Sequence, residues 1–323
     1  MKIKLIILFL LITSFLFVCF CSKKDTSINQ FITFKKISEI GISEGDENYI
    51  FGSINDVEVD ELGNIYILDG KMSRIVKFAK NGEFICKFGK KGQGPGEFQF
   101  PEAVVLDSNR LIYVLGSRRV LVFNEHGKFV HSFPYNFYGV DIAIDNKQNL
   151  ILLGPRDDKI FQIYDRKGNY LYSFGNGFKV PDEFAKFREA RFSKFPIRLW
   201  TIEDEVYILN PYEYEIHIYK NGTLKENISK KTPNYLRPEL KQISPGGYAG
   251  YISDNLIHKR GNKLFVFYNG KTANWLDIFE NGKFLKSLEM KNNLKAIDYE
   301  GKFYFAEEED YLKLVISTLG KDN

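Results

Sequence analysis

Residues Asp56–Phe88 read DVEVDELGNIYILDGKMSRIVKFAKNGEFICKF. Four short apolar runs, Asp56–Val59, Asn64–Asp69, Arg74–Phe78 and Phe84–Phe88, follow one another, with Asp60-Glu61-Leu62-Gly63 after the first and Asn81-Gly82 before the last. Runs of this length, rich in Ile, Val, Tyr and Phe and bounded by Asp, Asn and Gly, read as strands. Asn-Gly between two such runs is a strong hairpin signal. The stretch is therefore a four-stranded antiparallel unit, and on its own it has no partner for its apolar faces.

The unit recurs. VLVFNEHGKFVHSF, FQIYDRKGNYLYSF, IHIYKNGTLKENI and LDIFENGKFLKSL repeat its closing hairpin, with turn glycines Gly127, Gly168, Gly222 and Gly282. A strand-only repeat of roughly 40 residues is the signature of propeller blades. The second blade is expected over Ala103–Leu106, Leu111–Leu115, Arg119–Phe123 and Phe129–Phe133, and the third over Val140–Ile144, Asn149–Leu153, Ile160–Tyr164 and Tyr170–Phe174. The fourth takes Arg198–Ile202, Val206–Leu209, Ile216–Tyr219 and Thr223–Ile228; the fifth takes Tyr251–Ile257, Lys263–Phe267, Trp275–Phe279 and Phe284–Leu288. The last group, Leu294–Ile297, Lys302–Ala306 and Leu312–Ser317, lacks a strand, and the orphan segment Phe31–Ile40 supplies it. The expected fold is all-β: a six-bladed propeller of four-stranded antiparallel blades, its ring closed by an N-terminal strand.

Phe88–Pro101, FGKKGQGPGEFQFP, resembles the linker between NHL repeats, and Asp60, Gly63, Asn64, Tyr66, Asp69, Arg74 and Ile75 stand where such a repeat has its own signature residues. The chain thus resembles a divergent NHL-like six-bladed propeller, similar to propeller lipoproteins of bacterial envelopes. That group includes binding proteins and a few enzymes, so the resemblance implies a scaffold and leaves the activity open.

Composition narrows the function. Aromatic residues make up 15% of the 323, and the formal charge is +4, of which Lys2 and Lys4 account for two. A nearly balanced mature chain offers no basic face for nucleic acid. Lys2 and Lys4 precede an apolar stretch that ends at Cys19-Phe20-Cys21, followed by Ser22-Lys23-Lys24. This is the layout of a secretory signal. The expectation is a lipoprotein-type signal over 1–21 with lipid on Cys21 (Cys19 the alternative), a polar tether over 22–29, the propeller over 30–317 and a tail over 318–323. The chain is then exported and held by lipid at the bacterial cell envelope, at the outer membrane. Cys86 stands apart inside a strand and reads as a small packed hydrophobe.

Two connections are long for a propeller, 175–196 and 229–250, and long loops are where function concentrates. The first carries Phe184 and Phe187 on one face of a short helical pattern, flanked by Phe178, Phe192 and Phe195, with Arg188 and Arg191 pointing elsewhere. The second carries Tyr235 and Tyr248 in a Pro/Gly-shaped loop, where exposed tyrosines would suit peptide or sugar contacts. Turns expected on the same face add Arg118, Arg119, Arg156 and Tyr212, a mildly basic rim for an anionic partner. These residues form the expected binding surface, for an envelope protein or a glycan, with no cofactor and no catalysis. The alternatives are a metal-dependent hydrolase or lyase, in which Asp56, Asp141 and Asp254 would hold Ca2+ in the channel, and a structural scaffold of an envelope complex.

Overall fold

The computed structural model describes residues 32–179, 197–235, 239–244, 247–251, 255–270 and 273–321. They form two compact units. The first, residues 1–34 with 319–323, contributes to the described residues the beginning of one strand and the end of another; the second, Lys35–Thr318, carries the blades.

Six four-stranded antiparallel sheets follow one another along the chain. Blade 1 is Asp56–Val59, Ile65–Asp69, Arg74–Phe78 and Phe84–Phe88, as its sequence predicts to within a residue. The first strands of the blades touch in cyclic order, blade 1 to blade 6 and back to blade 1, which closes the ring around a central channel. Blade 6 is completed from the other end of the chain: Ile32–Ile40 pairs with Leu312–Lys321, outside Lys302–Glu308 and Asn293–Ile297.

Apolar layers fill the spaces between blades. Ile65, Ile67, Val76 and Phe78 of blade 1 meet Tyr304, Leu314 and Ile316 of blade 6, and comparable layers join blades 1 to 2, 2 to 3, 3 to 4 and 4 to 5. This is how a repeat that cannot bury its own faces becomes stable.

A recurrent side-chain device holds the turn between first and second strands. Asp60 accepts from the backbone N–H of Leu62 and Asn64, from Asn64 Nδ2 and from the buried Tyr66 hydroxyl. Asp107 does the same for Asn109, Leu111 and Tyr113, and Asp298 for Lys302 and Tyr304. Gly63 in blade 1 sits at φ +83°, a left-handed conformation that glycine adopts without strain.

Two segments depart from the sequence expectation. The fifth blade's first strand is Asn255–Arg260, four residues later than its predicted start. The connection 229–250, expected as a loop, contains a hairpin of Glu239–Ser244 paired with Gly247–Tyr251. Asn255 pairs with Tyr268 and Arg260 with Lys263, so the partner strand, not the apolar run, sets the register.

Candidate functional site

Alternating strands place the first-to-second turns on one face of the ring, and the second-to-third turns and inter-blade connections on the other. Two cavities lie on the axis. The larger, about 800 Å³, is lined by the inner strands and reaches the first-to-second turns at Glu61–Leu62, Asp145–Asn146 and Asp298–Tyr299. The smaller, about 220 Å³, lies toward the opposite face at Asn55, Glu102 and Asn293. Asp56, Arg198, Leu256 and Lys295 line both and form the partition.

Arg198 is the centre of that partition. It enters from blade 4, and its Nη1 donates to Asp56 Oδ2 of blade 1 (3.2 Å) and Asp141 Oδ1 of blade 3 (3.0 Å). Its Nη2 donates to the carbonyls of Asn55 (3.0 Å) and Glu102 (3.3 Å), and its own backbone N–H donates to Asn255 Oδ1 (3.4 Å). Asp141 Oδ2 accepts from Leu199 N and Asp56 Oδ2 from Val104 N. The guanidinium thereby ties blade 4 to blades 1, 2 and 3 across the channel, and the backbone N–H of the same residue adds blade 5.

The electrostatics follow from burial. Asp141 is pushed up to about 6 because burial outweighs the attraction of Arg198. Glu58, in the cavity wall beside Asp56 and Asp141, is held well above the usual carboxylate range by burial and by both neighbouring carboxylates. His258, its ring 4.2 Å from that of Trp200 and tilted 45° to it in the same wall, falls to about 3 through burial and the nearby Arg260, so its imidazole is neutral.

These residues do not fit the channel metal site. A cation there needs free carboxylate oxygens, whereas Asp56 and Asp141 are engaged by Arg198 and by backbone N–H groups. Asp254 lies outside the described residues. Among the described residues no cluster of three or more His, Cys, Asp or Glu side chains has ligand geometry.

The residues expected on the binding face are dispersed. Phe184, Phe187, Arg188 and Arg191 lie outside the described residues, and so do Cys19 and Cys21. Phe178, expected beside them as part of the insert, is buried in the layer between blades 3 and 4, its ring 5.2 Å from His217. Tyr212 and Tyr235, expected on the surface, are buried: the first in the same layer, the second with its hydroxyl donating to the Asn210 carbonyl. Local sequence marked them as loop residues, and the large flat ring gains more by filling an inter-blade gap. Tyr248 sits in the extra hairpin opposite Gln242. Arg119 donates to the carbonyls of Gln93, Gly94 and Glu97, a clamp on the Gly-Pro-Gly linker. Arg156 lies over the Tyr170 ring at 4.3 Å, and Arg118 is exposed. Arg198 itself drew no notice in the sequence beyond its place in a strand. The available signal was its sign: a base opening one inner strand where Asp56, Asp141 and Asn255 open others.

The sequence of residues 33–311 matches a family model described as a 6-bladed beta-propeller. The chain belongs to the DUF5128 family. Within it, this propeller keeps the NHL resemblance: it is 29% identical over 146 residues to the Drosophila melanogaster protein brain tumor, covering 43% of this chain and 14% of that protein. It is 31% identical over 80 residues to human NHL repeat-containing protein 3, 23% of each. The propeller thus spans less than a quarter of either relative. Among solved structures, a Bacteroides fragilis protein described as a candidate exported protein superposes with a TM-score of 0.63 at 13% identity, covering 93% of this chain and 98% of that one. A streptogramin B lyase superposes at 0.56 with 12% identity, covering 92% and 100%. At such identities the likeness is one of fold.

Proposed function

We propose that this propeller is a non-catalytic binding module, exported and held by lipid at a bacterial cell envelope, that docks a partner protein on the face carrying the inter-blade connections. The observation that carries this reading is a set of large apolar side chains standing in solvent on that face. Phe100 is 75% exposed although its backbone is held at φ +50° just before Pro101, and Met72 and Tyr138 are about half exposed. A residue in a disfavoured conformation that also leaves a ring in water has two local costs, and such costs are met where a surface serves recognition. Arg118, exposed in a neighbouring turn at φ +60°, adds a cation of the kind enriched at interfaces. Export is supported by the charged and apolar segment before Cys21 and by the likeness to the Bacteroides fragilis protein. Binding is favoured over metal-dependent chemistry because Arg198 already engages the channel carboxylates.

The test compares full-length protein with Phe100→Glu/Tyr138→Glu in capture from envelope extracts. A stoichiometric protein bound by the first and lost from the second is the expected result. Capture that survives both substitutions, or capture of glycan instead, overturns the assignment of the face or of the partner. Palmitate labelling that is lost in Cys21→Ser and kept in Cys19→Ser is expected for the lipid anchor, and no labelling of the parent chain removes it.

A further inference from the structure

The exposed Phe100 is held firmly from both sides. Phe98 and Pro101 next to it are buried. The Gln99 carbonyl accepts from Ser117 N in the second-to-third turn of blade 2 (2.9 Å), and the Pro101 carbonyl accepts from Asn55 Nδ2 (3.0 Å). Asn55 Oδ1 accepts from Ser53 Oγ (2.9 Å), which itself accepts from Lys71 N in the corresponding turn of blade 1 (2.9 Å). This run of hydrogen bonds fixes the residue between two turns, and a surface ordered beforehand loses less entropy when a partner arrives.

Each of the three segments also presents a cation. Lys71 stands in the blade 1 turn, Lys91 in the linker that ends at Pro101 and Arg118 in the blade 2 turn; all three are exposed, and none forms an ion pair among the described residues. The acids of the same segments are occupied: Asp69 by Arg74 and the backbone N–H groups of Gly52 and Ser53, Glu97 by Lys90 and Gly94 N. Glu102 lines the smaller channel cavity. On the blade 6 side of the same face the sign reverses. Glu308 and Asp310 in the second-to-third turn of that blade, with Glu44 and Asp46 in the connection that passes beside it at Gly41, are exposed and form no ion pair among the described residues. Those two acidic segments expose no large apolar side chain.

We propose that the docking partner is acidic: a protein segment that seats a large apolar side chain on Phe100 and turns Asp or Glu toward Lys71, Lys91 and Arg118. This rests on the docking reading above and names the partner's chemistry. An aromatic anchor supplies affinity, while cations at its edge supply register and association rate. The acidic side of the face repels the same segment, which fixes its orientation.

Selection from a displayed library of random short peptides tests this, with the full chain as bait. The parent chain is expected to enrich peptides in which Asp and Glu flank a large apolar residue, and added salt is expected to weaken them. In Lys71→Glu/Lys91→Glu/Arg118→Glu the same peptides are expected to bind about tenfold more weakly, as the loss of three pairs at a solvated rim implies, and selection on that variant is expected to turn to Lys- and Arg-bearing peptides. Lys128→Glu/Lys147→Glu/Lys167→Glu changes the net charge equally on the face of the first-to-second turns and is expected to leave the peptides bound as before. All six side chains are exposed, so both variants keep the fold, which their thermal midpoints verify. No enrichment on the parent chain, enrichment of peptides without acids, equal weakening in the two variants, or a single-stranded oligonucleotide that binds more tightly than any selected peptide overturns the acidic partner. Envelope capture tells this failure from that of the docking reading. Capture lost in Phe100→Glu/Tyr138→Glu and kept in Lys71→Glu/Lys91→Glu/Arg118→Glu leaves the face standing and removes its acidic partner, whereas capture kept in both removes the face as well.

Discussion

At the scale of single residues, the fold rests on acids placed where a strand turns or where blades meet. Asp60 holds two backbone N–H groups and two side chains at once, so Asp60→Ala strands the buried Tyr66 hydroxyl. An unsatisfied buried group costs about 1–3 kcal/mol, and a loss in that range is expected in urea unfolding, with Asp60→Asn recovering part of it. Arg198→Met is expected to cost more, about 3–5 kcal/mol, because it leaves Asp56 and Asp141 facing each other without a counter-charge. Adding Asp56→Asn and Asp141→Asn to that variant should return part of the loss; if the triple variant is no more stable than Arg198→Met, the guanidinium is not what holds the partition. Asp141 also sets a pH dependence. Its folded value of about 6 lies above the unfolded value of about 3.9, so the folded state holds this proton more tightly. The stabilisation is fully present below about pH 4 and is lost as pH rises through 6. Relative to Asp141→Asn, the parent chain should lose urea midpoint between pH 4 and 7; a parallel course for the two proteins would refute the raised value.

At the scale of elements, turn chemistry decides what a hairpin tolerates. Gly168 has φ +90°, and a Cβ there would stand 2.1 Å from the Phe133 ring, whereas Gly177 has open space around it. Gly168→Ala is therefore expected to lower the thermal midpoint clearly and Gly177→Ala hardly at all, a contrast that equal shifts in both would contradict. The same hairpins explain how much was legible beforehand. Blade 1 was readable strand by strand because each run is bounded by residues that turn the chain, and the terminal strand exchange was readable because blade 6 is visibly one strand short. The start of blade 5 was not, because Tyr251-Ile252 reads as the opening of its strand ahead of the turn formers Ser253, Asp254 and Asn255, whereas Tyr251 closes the preceding hairpin and the strand begins at Asn255. The channel partition was hidden for a different reason. Arg198 and Asp56 meet across 142 residues of sequence, and nothing local to either marks the other as its partner. Tyr212 and Tyr235 went astray through the same blindness to distance, since rings in loop-like segments found their burial in the spaces between blades.

At the scale of the whole molecule, a closed ring depends on its last joint. Blade 6 draws its outer strand, Ile32–Ile40, from the opposite end of the chain from Leu312–Lys321. Ile40 is 2% exposed and packs in the layer shared with blade 1, so removing the strand forfeits about 2–3 kcal/mol at this residue alone. It also bares the backbone edge of Leu312–Lys321, with Leu314, Val315 and Ile316 in its middle, and an open edge invites pairing with another chain. The loss is not confined to blade 6, because its layer with blade 1 continues, through the contacts of the inner strands, around the cycle. A chain lacking 32–40 is therefore expected to unfold over a broader range at a lower midpoint, to be cleaved first within 293–321 under limited proteolysis, and to form larger species in size-exclusion chromatography. Supplying the segment ITFKKISEI as a separate peptide should restore part of the midpoint, because the groove that receives it stays intact up to the edge. A truncated chain that remains monomeric with the parent midpoint would mean that inter-blade layers alone hold the ring, and that the terminal strand only covers an edge.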